Sequence, residues 1–317
     1  MSAPPAPTAR YRGRFAPSPS GPLHFGSLLA ALASYCDARA VNGEWLVRIE
    51  DVDTPRSRPG AATAILQTLE QYGFQWDGPV VHQSARHALY DQALTQLDAR
   101  SALFACICSR RDLALAPLSA TGERRYPGTC RIRASPAVAG RQHAVRVAVG
   151  EGHVEFIDRL QGLQRQDLAR DVGDFIVQRA DGLHAYQLAV VIDDAAQGIN
   201  AIVRGADLLA STPRQIFLQR LLGLPVPSYL HVPVAINCHG AKLSKQTFAR
   251  RLPDAPVPAL IAAWQFLDQP ELPDAALSIT EFWAFAHAAW SPRRLPPVPM
   301  LLSPAQFDKS VPADGRV

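Results

Sequence analysis

The stretch Gly21-Pro-Leu-His-Phe-Gly-Ser-Leu-Leu-Ala30 follows Arg14-Phe-Ala-Pro-Ser-Pro-Ser20 and joins a proline-rich loop to an apolar run with helical spacing. The prolines stiffen the backbone, and the glycines let another molecule approach it closely. Because the first turn of a helix presents N–H groups without helical partners, such a junction suits an anion. His24, just before the helix, is placed to donate to a phosphate oxygen. On these residues alone, a plain turn containing an imidazole is the simpler interpretation.

Outward from this junction, strand and helix alternate. Helical spacing of Leu, Ile and Ala covers 27–40 and 61–72, and between them Trp45-Leu-Val-Arg-Ile49 is a short apolar run that ends at the acidic Glu50-Asp-Val-Asp53. The same pattern resumes with apolar segments at 174–177, 189–194 and 202–205 and with a helix at 213–222 that ends at Gly223. This alternation predicts an α/β fold with a doubly wound, Rossmann-like parallel sheet.

A second kind of sequence interrupts that pattern after Leu103. Cysteines, paired arginines, glycines and prolines run to about Gly140, and the strand-like segments 144–149 and 154–157 follow. This change in residue composition predicts an inserted module. Its cysteines supply three thiolates, whereas tetrahedral zinc takes four ligands, so spacing alone leaves Tyr126 as an ordinary core or surface residue.

Length, composition and charge limit the classes of protein to which the chain can belong. The 317 residues exceed one typical domain, and 48% hydrophobic with 19% charged residues is ordinary for a globular enzyme. A net charge of +4 weakly favours an anionic partner. No apolar run approaches the roughly 20 residues that span a bilayer, the start lacks the features of a signal peptide, and five cysteines in an odd, clumped arrangement suit a reducing compartment. We therefore expect a cytoplasmic protein that does not enter a membrane.

A basic loop near the end of the α/β pattern changes the interpretation of the first junction. Gly240-Ala-Lys-Leu-Ser-Lys-Gln246 places two lysines three residues apart with a serine between them. Mobile ammonium groups in a glycine-led loop can neutralise a phosphate chain while a bond breaks. A solvated surface loop is the alternative when this segment is taken alone.

Together these segments resemble the class I aminoacyl-tRNA synthetases, whose HIGH and KMSKS sequences hold ATP, and in particular their glutamyl/glutaminyl group. The resemblance is carried, in order, by Arg14–Ser27, Arg48-Ile-Glu-Asp-Val-Asp-Thr54, Val191-Ile-Asp-Asp194, Val203-Arg-Gly-Ala-Asp207 and Lys242-Leu-Ser-Lys245. Two positions depart from the pattern: Ser27 replaces the second histidine of HIGH, and Val190 stands where glutamyl enzymes carry a polar amide.

The resemblance implies that a carboxylate is joined to the α-phosphate of ATP, with Mg²⁺ accompanying the nucleotide and pyrophosphate leaving. It implies catalytic roles for His24, Lys242 and Lys245. The ATP-binding residues would be Gly21, His24, Gly26, Ser27, Lys242, Ser244 and Lys245. The glutamate-binding residues would be Arg14, Phe15, Ala16, Pro17, Ser18, Glu50, Tyr186 and Arg204. Arg14 and Arg204 would take carboxylates because guanidinium groups bind them bidentately, and Glu50 would take the α-ammonium. Without the resemblance, structural ion pairs are the simpler interpretation of Arg204 and Glu50.

The cysteine pattern resembles the zinc site of a small glutamyl-synthetase paralogue. In that pattern Cys106, Cys108, Tyr126 and Cys130 would hold one structural Zn²⁺ per chain. A basic surface on this insertion would be formed by Arg110, Arg111, Arg124, Arg125 and Arg131.

Chain length selects among members of the family. Only 72 of the 317 residues follow Lys245, which predicts that no anticodon-binding domain is present. The expected units are a disordered tail (1–10), a first Rossmann half (11–104), a zinc-binding insertion (105–165), a second Rossmann half (166–224) and a helical region with the KMSKS loop (225–317).

The expected partners are ATP, L-glutamate and queuosine-containing tRNA(Asp), with glutamate activated in the absence of tRNA and transferred by a monomer to the wobble base. A truncated synthetase that charges a tRNA 3′ end and a non-catalytic RNA- or amino-acid-binding paralogue are the alternatives.

Overall fold

The structure is a computed structural model that describes residues 10–118, 124–132, 141–243, 250–273 and 277–308. Ser244 and Lys245 of the predicted ATP site, and residues 1–9 of the predicted tail, lie outside the described residues.

The strands are β1 (Arg12–Phe15), β2 (Glu44–Ile49), β3 (Val81–His82), β4 (Leu103–Cys106), β5 (Ala144–Val147), β6 (His153–Asp158), β7 (Gly162–Asp167), β8 (Phe175–Gln178), β9 (Ala201–Gly205), β10 (Ser228–Val232), β11 (Val234–Ile236) and β12 (Met300–Leu302). The α-helices are α1 (Phe25–Arg39), α2 (Ala61–Gln71), α3 (His87–Ala99), α4 (Arg110–Leu113), α5 (Thr129–Ile132), α6 (Leu168–Asp171), α7 (Tyr186–Ala196), α8 (Thr212–Leu222), α9 (Pro256–Phe266) and α10 (Ile279–Ala289). Short 3₁₀ turns lie at Thr54–Arg56, Gln83–Ala85, Ala206–Ser211, Pro292–Arg294 and Ala305–Phe307.

A parallel sheet in two neighbouring parts forms the centre of the fold. β1, β2 and β3 pair in parallel, β9 and β10 pair in parallel, and β6 joins β10 through the single pair Tyr229 and Asp158 before turning back as β7. β1 and β9 lie side by side, and the N–H of Asn200 donates to the carbonyl of Arg12 (3.1 Å). Since the order of strands reverses between β1 and β9, a crevice is expected at their carboxyl ends.

Helices cover both faces of this sheet. In β2, Trp45 and Val47 enter the core shared with α1, α2, α9 and α10, while Leu46 packs against the core shared with α3, α7 and α8. Neighbouring residues Ile202 and Val203 of β9 divide between the two cores in the same way. The predicted α/β fold with a parallel sheet buried on two sides is therefore confirmed.

Most predicted elements match the structure. α1 and α2 coincide with the expected helices, β2 ends directly before Glu50, and α8 ends at Gly223, whose φ of 68° suits a glycine at a helix end. Of the three apolar segments that continue the pattern, 174–177 and 202–205 overlap β8 and β9, whereas 189–194 lies inside α7. In a short run that is almost entirely apolar, the spacing of apolar residues cannot distinguish a buried strand from a buried helix.

The small antiparallel sheet joins segments that are distant in sequence. β5 pairs with β4 on one side and with β8 on the other, so residues 144–147 and 175–178 share one sheet. The limits of the individual domains stay predictions.

The C-terminal region packs on α1 and on the segment directly before it. α9 and α10 pack on α1, and the ring of Phe307 stacks on that of Phe25 at 4.2 Å. The N–H of Leu252 donates to the carbonyl of Leu23, one residue before His24 (3.1 Å). Within the described ranges, no helix combines the length and apolar character needed to cross a membrane.

Candidate active site

A cavity of about 730 Å³ opens at the carboxyl ends of β1 and β9, where the strand order reverses. Its lining includes most of the residues that the sequence predicts for ATP and glutamate: Arg14, Phe15, Ala16, Pro17, Ser18, His24, Gly26, Ser27, Glu50, Tyr186, Arg204 and Lys242. Gly21 is buried beside the cavity without lining it, at a φ of 152° that favours glycine. The structure thus gathers two predicted sets of residues around one space.

The entrance of α1 forms one part of the cavity wall. His24 occupies the N-cap position with an extended backbone, and its side chain makes no capping bond to the helix. The first helical bond runs from the N–H of Leu28 to the carbonyl of His24 (3.0 Å), so the N–H groups of Phe25, Gly26 and Ser27 precede the helical ladder. The positive end of the helix dipole therefore meets the cavity, as an anion site requires.

Gly26 lets three parts of this wall come together. A Cβ atom at this position would lie 3.2 Å from Cε1 of His24 and 3.4 Å from the carbonyl oxygen of Leu243. Any side chain here would push the imidazole or the basic loop away from the helix entrance. Glycine is favoured at position 26 because His24 and Leu243 lie so close to its Cα, and not because its φ is unusual.

Lys242 reaches the cavity from the opposite side and forms an ion pair with Asp207. Gly205 makes room for that carboxylate, since a Cβ atom there would lie 2.5 Å from Oδ1 of Asp207. The sequence comparison placed Asp207 in a motif without giving it a role, and only the fold shows that it meets a lysine 35 residues away.

Behind the cavity lies a network of buried charges. Asp194 accepts from Nε and Nη2 of Arg14 (3.0 and 3.3 Å) and from Nη1 of Arg48 (2.8 Å). Burial alone would raise the pKa of Asp194, but Arg14 and Arg48 outweigh it and hold that pKa below its usual value. Arg14, expected to bind a substrate carboxylate, therefore uses two of its N–H groups within the protein. Its role toward the substrate stays a prediction.

Arg48 connects this network to the cavity wall. Its side chain is completely buried, and Nη2 donates to Oε1 of Glu50 (3.2 Å). On its other side, Nε lies 3.9 Å from Oδ2 of Asp193. The hydroxyl of Tyr90 donates a hydrogen bond to the same oxygen (2.7 Å). One guanidinium thus holds three carboxylates from β2 and α7 in place.

Glu50 and Tyr186 both line the cavity. The N–H of Glu50 donates to the carbonyl of Pro17 (3.0 Å), which fixes the loop after β1. Burial raises the pKa of Glu50, although Arg48 and Arg14 oppose the shift. Burial, followed by the charge of Glu50, raises the pKa of Tyr186 to about 12. The phenol stays protonated and can donate a hydrogen bond, while Glu50 offers an acceptor suited to an ammonium group.

Arg204 differs from the other arginines of the cavity in having neutral partners. Nε donates to Nε2 of His231 (3.0 Å), and Nη2 donates to Oγ1 of Thr212 (2.9 Å) and to Oε1 of Gln215 (2.7 Å). Its Nη1 is buried and has no hydrogen-bond partner in the described part of the chain. A buried guanidinium with a spare donor in a cavity is suited to an incoming carboxylate.

The predicted metal ligands also converge. The sulfur atoms of Cys106, Cys108 and Cys130 lie within 4.8 Å of one another, and the phenol oxygen of Tyr126 lies 3.5 Å from Sγ of Cys106. The guanidinium of Arg146 stacks 3.9 Å from the centre of the tyrosine ring. Three thiols and one phenol oxygen around a common point fit a small divalent cation with a preference for sulfur.

Residues 10–255 match the family described as tRNA synthetases class I (E and Q), catalytic domain. The chain is 55% identical over 301 residues to the glutamyl-Q tRNA(Asp) synthetase of Dechloromonas aromatica, covering 93% of this chain and 99% of that protein. It is 51% identical over 294 residues to the protein of the same name from Pseudomonas aeruginosa, covering 91% and 96%.

Solved structures show the same fold. The glutamate-tRNA synthetase of Elizabethkingia anophelis superposes with a TM-score of 0.73 at 20% identity, covering 91% of this chain and 67% of that chain. At this identity the likeness concerns the fold alone, and it agrees with the parallel sheet described above.

Proposed function

The chain belongs to the class I tRNA synthetases of the glutamyl and glutaminyl group, among the glutamyl-Q tRNA(Asp) synthetases, and from this premise we propose its reaction. It joins L-glutamate to the α-phosphate of ATP without tRNA and then transfers the glutamyl group to the queuosine base at the wobble position of tRNA(Asp). The observation that carries this proposal is one cavity lined by both the α1 entrance with Lys242 and the pair Arg204 and Glu50. A phosphate site and an amino-acid site therefore share one space.

In the first step, a carboxylate oxygen of glutamate attacks the α-phosphorus, the bond to pyrophosphate breaks, and a mixed anhydride forms. No side-chain nucleophile is needed. The N–H groups at the start of α1, together with His24 and Lys242, lie where they can stabilise the negative charge on the phosphates. Lys245 and Ser244 would complete this site from the same loop. Mg²⁺ bound to ATP would screen the negative charge of the leaving pyrophosphate.

Recognition of glutamate follows from the charges around the cavity. Arg204, with its spare Nη1, binds a substrate carboxylate, and Arg14 contributes from β1. Glu50 accepts from the α-ammonium, and Tyr186 donates a hydrogen bond. The loop of Phe15, Ala16, Pro17 and Ser18 closes the pocket around the substrate. For this reaction on tRNA, we further propose that the protein acts in the cytoplasm as a monomer.

We further propose that the cysteine cluster holds one structural Zn²⁺. When bound, zinc would tie the end of β4 to α5, which carries Cys130. The fit rests on the chemistry of the donor set, since three thiolates and one oxygen satisfy a tetrahedral ion.

Replacement of one ligand tests this site. Cys108→Ser is expected to lower bound zinc from one atom per chain to well below half, because a serine hydroxyl is a poor substitute for a thiolate. Elemental analysis of the purified protein measures the metal. The matched control is Cys238→Ser, which alters an exposed cysteine outside the cluster and should keep the full content. Equal zinc in both variants would contradict the assignment.

The activation step is tested by ATP–pyrophosphate exchange in the absence of tRNA. Exchange that depends on L-glutamate is expected. Lack of exchange under these conditions would overturn the proposed function.

A further inference from the structure

The buried cation of Arg204 is oriented by groups that leave its charge uncompensated. Arg14 and Arg48 both pair with Asp194, whereas Arg204 makes no ion pair with a carboxylate of the described residues. Its Cζ also lies 5.5 Å from the ring centre of Tyr229, so an aromatic face covers one side. The guanidinium is thus fixed in position while its charge stays available to a ligand.

His231 is the acceptor for Nε of Arg204, and Asp158 fixes this histidine. Nδ1 of His231 lies 2.6 Å from Oδ2 of Asp158, and the backbone N–H of His231 donates to Oδ1 (3.2 Å). Both side chains are completely buried. The N–H groups of Leu160 and Gln161 also donate to Asp158, at 3.0 and 2.8 Å, so this carboxylate is held by several donors.

These contacts leave only one protonation state of His231 that satisfies both neighbours. Nδ1 carries the proton that Asp158 accepts, and Nε2 presents a lone pair to Arg204. Burial, with a contribution from Arg204, lowers the pKa of His231 to about 4, so the imidazole is neutral near pH 7. A carboxylate in its place would neutralise Arg204 and compete with a substrate carboxylate.

We propose that His231, held by Asp158, is a positioning residue for glutamate: it aligns the guanidinium of Arg204 so that Nη1 meets the carboxylate of the substrate. The inference rests on the proposed function of this cavity. Thr212 and Gln215 hold the other side of the guanidinium, and Oγ1 of Thr212 lies 3.2 Å from Nε2 of His231. These three neutral side chains orient the guanidinium of Arg204 before glutamate binds. Less free energy is then needed to order the arginine side chain on binding.

Two amide substitutions separate the contacts of the imidazole. In His231→Asn the amide nitrogen takes the place of Nδ1 and keeps the bond to Asp158, but nothing accepts from Arg204. In His231→Gln the amide oxygen takes the place of Nε2 and keeps the bond to Arg204. We expect H231N to raise the KM for glutamate roughly 30-fold and H231Q at most about 3-fold, given the strength of a hydrogen bond to a charged group. The KM for ATP should change less than about twofold in both variants, because the phosphate site has no contact with this group.

Glutamate-dependent ATP–pyrophosphate exchange measures both KM values, with the wild-type protein assayed first. If the wild type shows no exchange, the proposed function fails. If it exchanges and the two variants raise the KM for glutamate equally, or raise the KM for ATP to the same extent, the positioning role alone is overturned.

A substitution on the other side of the guanidinium covers the case in which H231N does not fold. Thr212→Val keeps the shape of the side chain and removes the hydroxyl that accepts from Nη2 of Arg204. We expect a roughly tenfold higher KM for glutamate, from the loss of one hydrogen bond to a charged group. An unchanged KM in folded T212V would contradict the inference.

Discussion

Arg204→Met is expected to lower kcat/KM for glutamate in ATP–pyrophosphate exchange roughly 1,000-fold, or about 4 kcal/mol. Methionine is long and flexible enough to fill the space, but it has no charge and no donor for a carboxylate. The substrate carboxylate would then enter a largely buried cavity without a partner, which costs several kcal/mol. The KM for ATP should stay within about twofold of the wild-type value, because His24 and Lys242 are untouched.

The matched control for this variant is Arg165→Met, which removes an arginine from an exposed ion pair with Glu155 on the β6–β7 hairpin. Its exchange kinetics should equal those of the wild type. If Arg204→Met loses less than about tenfold in kcat/KM, binding of the carboxylate must be assigned to another residue.

Arg48→Leu is expected to produce the largest loss of stability, about 3–5 kcal/mol in the free energy of unfolding at pH 8. Leucine leaves the carboxylates of Glu50, Asp193 and Asp194 buried without the guanidinium that joins them. For a protein of this size, the loss corresponds to a fall in Tm of roughly 5–8 °C. Arg165→Leu, at an exposed ion pair, should change the free energy by less than about 1 kcal/mol.

The effect of Arg48→Leu should depend on pH in a definite direction. In the wild type, the lowered pKa of Asp194 contributes stability that is present above its unfolded pKa and is lost as pH falls through the folded pKa. In the variant, the pKa of Glu50 and Asp194 rises because Arg48 no longer offsets their burial, so mild acid neutralises them and relieves the penalty. Denaturant unfolding should therefore show a smaller difference from wild type at pH 5 than at pH 8. A difference that grows on acidification would contradict the assigned role of Arg48.

The parts of the site that the sequence could predict are those encoded by short segments. The proline-rich loop, the entrance of α1 and Glu50 at the end of β2 each follow from local pattern, and the resemblance connects them to Lys242. Their side chains line one cavity, because parallel strands bring their carboxyl ends to the same edge of the sheet.

The parts that it could not predict depend on pairing between distant segments. His231 and Asp158 are 73 residues apart, and they meet because β10 pairs with β6 at Tyr229 and Asp158. A histidine inside an apolar strand gives no local signal of its partner. Asp207 and Lys242 are likewise brought together only by the turn after β9 and the loop after β11. Long-range register, rather than local propensity, places these side chains.

We propose that glutamate activated in this cavity is transferred to the wobble base of tRNA(Asp). It is tested most directly by incubating the protein with ATP, labelled L-glutamate and queuosine-containing tRNA(Asp), digesting the product with nuclease and identifying the labelled nucleotide. We expect the label on the queuosine nucleotide of the anticodon. Label on the 3′-terminal adenosine would contradict the account and identify the protein as an enzyme that charges tRNA.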